Sequence, residues 1–193
     1  MATLSPHANR RTVLITGFDA FAQVTDNPTA HLARRLSGRR VAHHTVVGRV
    51  LPVSYERGLD QGVSLLDCLS PALVVGLGVH RGAALKVETV ARNAISPRAD
   101  VDGIRPSDLG DGPSQLTTTL NAARIAQAMG ADVSTDAGSY LCNAWLYTLL
   151  RHGASPGIFV HVPPGGVAIE RLVAGVQAAL GDPALRGTDL RRV

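Results

Sequence analysis

The chain has 193 residues, 45% of them hydrophobic, and a formal net charge of +4. This is enough apolar sequence to bury a substantial core, which excludes a disordered or fibrous protein and fits one domain spanning residues 1–193. The arginines gather at Arg34, Arg35, Arg39 and Arg40 and at Arg191 and Arg192, with no interleaved aromatics, so they read as solvated charge around a helix end and not as a nucleic-acid stripe.

In chain order, MATLSPHANRRT lacks the apolar core of a signal peptide, and residues 1–11 read as a flexible tail. The run VLIT then ends at Gly17 and reads as a buried strand; Asn27 and Pro28 open a helix through Leu36, with proline at its tolerated first-turn position. Residues 45–53 form a second strand and 55–69 a helix stopped near Pro71; ALVVGLG is a third strand. Residues 85–93 extend as a fourth strand, followed by a loop rich in Gly, Pro and Asp. A helix over 116–129, a strand around Val133, a helix from Ser139, a strand over 158–162 and a last helix over 168–180 complete the pattern. This alternation predicts a mainly parallel sheet with helices on both faces. No window is long and apolar enough for a membrane span, so a soluble, cytoplasmic protein is expected.

Ligands of open α/β sheets bind beyond the carboxyl ends of the strands, which directs attention to the segments there. The sequence holds two cysteines, Cys68 and Cys142, without the spacing of a disulfide framework or a zinc site. Cys142 follows the turn DAGS at the start of a helix, where free backbone N–H groups stabilise a thiolate and can hold an oxyanion, with Ser139 as the expected cap. A small buried hydrophobe is the competing reading. Cys68 lies late in an amphipathic helix and is expected to be core or inert packing.

A cysteine nucleophile needs a base, and the base an orienting acceptor. Of seven histidines, His161 stands out because it interrupts the apolar strand IFVHV immediately before Pro163 and Pro164; His80, after GLG, is the runner-up. His152, at a helix end, is accounted for by the helix dipole. Glu88 is a charged side chain inside a strand-like run, where a buried carboxylate must be paired. A structural salt bridge with Lys86 or Arg92 explains it equally well on pattern alone.

Four segments taken together, SxDAGxYLCN around Cys142, the strand-borne Glu88 followed by Ala91 and Asn93, FVHVP around His161, and TGFDAF with NPT near the start, resemble the pyroglutamyl peptidase I family over nearly the whole chain. The resemblance implies a three-layer α/β/α sandwich with a mainly parallel, mixed central sheet, assembled as a homotetramer. It further implies a cysteine peptidase that removes N-terminal pyroglutamyl residues through a triad of Cys142, His161 and Glu88, without a cofactor or metal. Phe18, Phe21 and Asn27 fall on substrate-binding positions of that family, and Arg98 on an arginine near its active site. Their alternatives are core packing for the rings, a helix cap for Asn27 and a solvated loop side chain for Arg98. Where the family has Ser or Thr two residues before the acid, this chain has Lys86, and PRADVD replaces its ARIPDN. These departures keep two other readings in play, a cysteine amidase for another small or cyclic acyl group and a non-catalytic small-molecule-binding α/β module.

Overall fold

A computed structural model of the chain describes residues 11–22 and 24–186. The expected tail therefore lies outside the described residues except for Arg11, whose carbonyl accepts a hydrogen bond from Thr45 N–H at 2.7 Å. Arg191 and Arg192 lie outside them too.

Strand β1 (Thr12–Phe18) leads to α1 (Pro28–Leu36), then β2 (Arg40–Val41), β3 (His44–Leu51), α2 (Arg57–Leu69) and β4 (Leu73–Val79). Next come β5 (Lys86–Glu88), β6 (Val90–Arg92), β7 (Gln115–Thr117), α3 (Ala122–Met129) and β8 (Asp132–Ser134). The chain continues through α4 (Leu141–His152), β9 (Gly157–Val162), α5 (Ile169–Leu180) and α6 (Pro183–Arg186). Seven strands form one sheet in the order β2-β3-β1-β4-β9-β5-β8. Its pairs are parallel except β2 with β3 and β5 with β9.

Strand alternation divides the core between the two faces. Val13, Ile15, Val75, Leu77, Val160 and Val162 pack under α1, α3 and α5. Leu14, Phe18, Val74 and Phe159 pack under α2 and α4. Both faces of the central strands are covered, which is why they read as continuous apolar runs in the sequence. The result is a three-layer α/β/α arrangement. On the second face Trp145 of α4 is fully buried, and its indole Nε1–H donates to Thr16 Oγ1 at 2.9 Å. Burial of so large a ring contributes on the order of 3–5 kcal/mol. Gly62 of α2 makes the room: a Cβ there would lie 2.4 Å from Trp145 Cζ3. Among the described residues, no helix is long and apolar enough to cross a membrane.

Two elements here differ from the sequence expectation. The strand over 85–93 breaks at Thr89, whose N–H and hydroxyl both donate to Ser134 O (2.8 and 2.9 Å). Beyond the break, β6 leaves the main sheet and pairs with β7. The helix over 116–129 begins only at Ala122, where the Asn121 side chain caps it by accepting from Arg124 N–H. Its expected first residues, Leu116 and Thr117, belong instead to strand β7, where the run of β-branched threonines begins. The long loop after β6 is tied down by Asp100, buried, whose carboxylate accepts from the N–H groups of Tyr55 (2.7 Å), Asp102 (2.9 Å) and Ile104 (2.8 Å).

Candidate active site

The carboxyl ends of β4 and β9 open onto a cleft of about 750 Å³. Cys142 reaches it from the second residue of α4, half-exposed. Helix α4 begins at Leu141, so the expected Ser139 cap is displaced: Tyr140 takes the N-cap position and makes no side-chain cap bond. The first main-chain bond of this turn runs from Ala144 N–H to Tyr140 O, leaving the preceding N–H groups, Cys142's included, directed past the helix end. Asn143 fixes the turn from the other side. Its amide donates to Arg92 O and Ala94 O, and its Oδ1 accepts from Arg92 N–H.

Gly78, near the end of β4, is the seat of the sulfur. A Cβ at this position would stand 2.6 Å from Cys142 Sγ and 2.7 Å from Phe159 Cζ, so any other residue must displace the sulfur or a fully buried ring.

His161 projects from β9 into the same cleft, and its ring lies edge-on to Phe159 at 5.1 Å. Because β5 runs antiparallel to β9, Lys86 pairs with His161 and Glu88 with Phe159. Glu88 therefore sits a step back from the mouth, fully buried, and its Oε1 is 2.8 Å from His161 Nδ1. With Nδ1 held by the carboxylate, Nε2 is the ring nitrogen left to face Cys142. Burial would depress the imidazolium, but the hydrogen bonds with Cys142 and then Glu88 outweigh it, and His161 is pushed from 6.5 up to about 9. Glu88 Oε2, also buried, has no hydrogen-bond partner among the described residues.

The other sequence candidates separate clearly. His80 lines the cleft, 5.5 Å from the His161 ring, but both its nitrogens are occupied: Nε2 lies 2.6 Å from Ala84 O and Nδ1 accepts from Gly82 N–H at 3.3 Å. His152 does more than complement a helix end, since its Nε2 is 3.0 Å from Asp67 of α2. Cys68 is exposed on α2, which corrects the core half of the core-or-inert placement expected for it.

Phe21 and Arg98 both line the cleft. The Arg98 guanidinium lies over the rings of Phe21 (5.7 Å) and Tyr140 (5.4 Å), which are themselves 6.3 Å apart. Phe18 and Asn27 stand behind this wall. Phe18, at the last position of β1, is 4% exposed and packs in the core under α4. Asn27 is the buried N-cap of α1, accepting from Thr29 N–H and donating to Asp19 O. Tyr140 is the lining residue that sequence reasoning passed over, although it stands two positions before the cysteine inside the quoted motif; Tyr55 backs it edge-on at 5.8 Å. A second enclosed space, about 10 Å³ between Leu77, Ile125 and Val176, is a purely apolar packing void.

Comparison with known proteins agrees with the geometry. A family profile described as pyroglutamyl peptidase matches residues 11–181. The pyrrolidone-carboxylate peptidase of Cupriavidus taiwanensis is 35% identical over 93% of this chain and 96% of its own length. That of Chromobacterium violaceum is 32% identical over 94% and 97%. Among solved structures, the pyrrolidone carboxyl peptidase from Thermococcus litoralis superposes with a TM-score of 0.81 at 28% identity, covering 88% of this chain and 91% of the other. Pyroglutamyl peptidase I from Bacillus amyloliquefaciens gives 0.79 at 25% identity, covering 88% and 93%. Alike in sequence and in fold over most of its length, the chain belongs to the pyroglutamyl peptidase family of cysteine peptidases.

Proposed function

We propose that the chain removes the N-terminal pyroglutamyl residue from peptides, with Cys142 as nucleophile, His161 as general base and acid, and Glu88 as the group that orients the imidazole. The observation that carries this reading is the continuous line from a buried Glu88 through His161 to a half-exposed sulfur at a helix start. Cys142 Sγ, its proton already carried by His161, bonds to the pyroglutamyl carbonyl carbon. The oxyanion so formed is held by the Cys142 N–H at the start of α4. Collapse breaks the peptide C–N bond, and His161 gives its proton to the departing amine. Water, deprotonated by His161, then opens the thioester, releasing pyroglutamate and restoring the thiolate.

Pyroglutamate is a neutral, flat lactam, which calls for an apolar clamp with few polar contacts. Phe21 and Tyr140 supply it, Arg98 lies over both rings, and Phe18 and Asn27 act from behind by holding the strand exit and α1. The test is hydrolysis of pyroglutamyl-aminocoumarin by the purified protein. Release of free aminocoumarin is expected; no release from a protein whose Cys142 still reacts with iodoacetamide would favour an amidase for a different acyl group.

The chain acts in the cytoplasm as a homotetramer in this reading, in line with its family resemblance. Light scattering of the purified protein checks the assembly, and a mass equal to the 20.2 kDa of one chain would overturn it.

A further inference from the structure

If His161 protonates the leaving amine, the departing peptide must run past His161, away from the Phe21 and Tyr140 wall. The side chains flanking that exit are then the ones that meet the residue following pyroglutamate. Lys86 is the cross-strand partner of His161. Alternation along β5 turns Lys86 and Glu88 to the same face and Val87 to the opposite core. Lys86 is thus one pleat nearer the mouth than Glu88, half-exposed where Glu88 is buried. Arg81, on the loop after β4, lines the same cleft.

The charges around the cleft do not balance. Its three carboxylates are engaged: Glu88 with His161, Asp26 with His31, and Asp136 with Arg92 at 3.7 Å. Arg98 is stacked on two rings, and both nitrogens of His80 are hydrogen-bonded. Lys86 and Arg81 form no salt bridge among the described residues, although Asp132 is the β8 neighbour of Lys86 across the β5–β8 pair. Two cations beside the path of the leaving group, neither within salt-bridge distance of a carboxylate among the described residues, complement an anion on it.

We propose that Lys86 and Arg81 form a leaving-group subsite that selects peptides carrying a carboxylate on the residue after pyroglutamate, an inference that rests on the proton-donor role of His161 proposed above. The carboxylate is either an acidic side chain or the free C-terminus of a dipeptide. The test compares kcat/KM for pyroglutamyl-Glu-Ala-amide with pyroglutamyl-Gln-Ala-amide, and for pyroglutamyl-Ala acid with its amide. In low salt the charged member of at least one pair is expected to be favoured about fivefold, as suits a partly solvated ion pair, and the pair that responds identifies the source of the carboxylate. Added salt at ~0.5 M shrinks the ratio towards one. Lys86→Gln and Arg81→Gln each reduce it and together abolish it, whereas Arg34→Gln, on the exposed face of α1, leaves the ratio in place. Cleavage of all four peptides with both ratios near one would overturn the subsite while leaving the peptidase reading intact. A ratio that survives in the double variant would overturn the assignment to these two residues. Cleavage of none would overturn the peptidase reading itself.

Discussion

Cys142→Ala is expected to lower kcat/KM on pyroglutamyl-aminocoumarin by at least about 10⁴-fold, because Cys142 is the nucleophile hydrogen-bonded to His161. Alanine suits the first turn of a helix, and α4 is held by features the substitution does not touch: the Asn143 bonds to Arg92 and Ala94 and the buried Trp145. Circular dichroism should therefore match the wild type, which separates loss of chemistry from loss of fold. Cys68→Ala is the internal control. Its sulfur is exposed on α2, away from His161 and Glu88, so activity should stay within about twofold. Retention of more than about a hundredth of wild-type activity in Cys142→Ala, or its loss in Cys68→Ala, sinks the assigned nucleophile.

The parts of this site that were legible in the sequence are those that break a local pattern. His161 interrupts an apolar strand, Glu88 puts a charge in another, and Cys142 follows a turn at a helix start; each violates its surroundings and needs a reason. The fold class was legible for a related reason, since strands covered on both faces carry uninterrupted apolar runs. What escaped depends on register and on distance along the chain. Glu88 and His161 are 73 residues apart, and nothing local states that β5 runs against β9, the reversal that brings their side chains together. Phe18 and Phe21 look equivalent in GFDAF, yet Phe18 is still in β1 and points into the core while Phe21 is past the strand end and reaches the cleft. A core position for Cys68 cannot be told from an exposed one in the sequence, because its amphipathic helix offers both a core and a solvent face and a fraction of a turn decides which a residue takes. The roles of Gly78 and Asp100 were invisible for the same reason: one is defined by a sulfur and a ring from distant segments, the other by three backbone N–H groups gathered by a loop.

Glu88→Gln tests the buried end of the triad, and its effect on pH dependence follows from the balance at His161. Burial pulls the imidazolium down, the hydrogen bonds with Cys142 and Glu88 pull it up, and the sum is about 9. The proton donated to the leaving amine is therefore retained up to about pH 9, where the alkaline limb of kcat should fall. Glutamine keeps the size of the side chain but removes one of the two upward pulls, so the limb moves to lower pH, towards the ordinary histidine value of about 6.5. Because the amide also loosens control of the tautomer, kcat should drop about 10²–10⁴-fold with KM little changed. Stability moves with the same group. A histidine raised on folding contributes stability that is fully present below about pH 6.5 and is lost as pH rises through about 9. The wild-type melting temperature should decline across that interval, and in Glu88→Gln the decline should be smaller and centred lower. An alkaline limb and a melting profile both unmoved by the substitution would mean that Glu88 does not set the state of His161, and the carboxylate would revert to a purely structural partner.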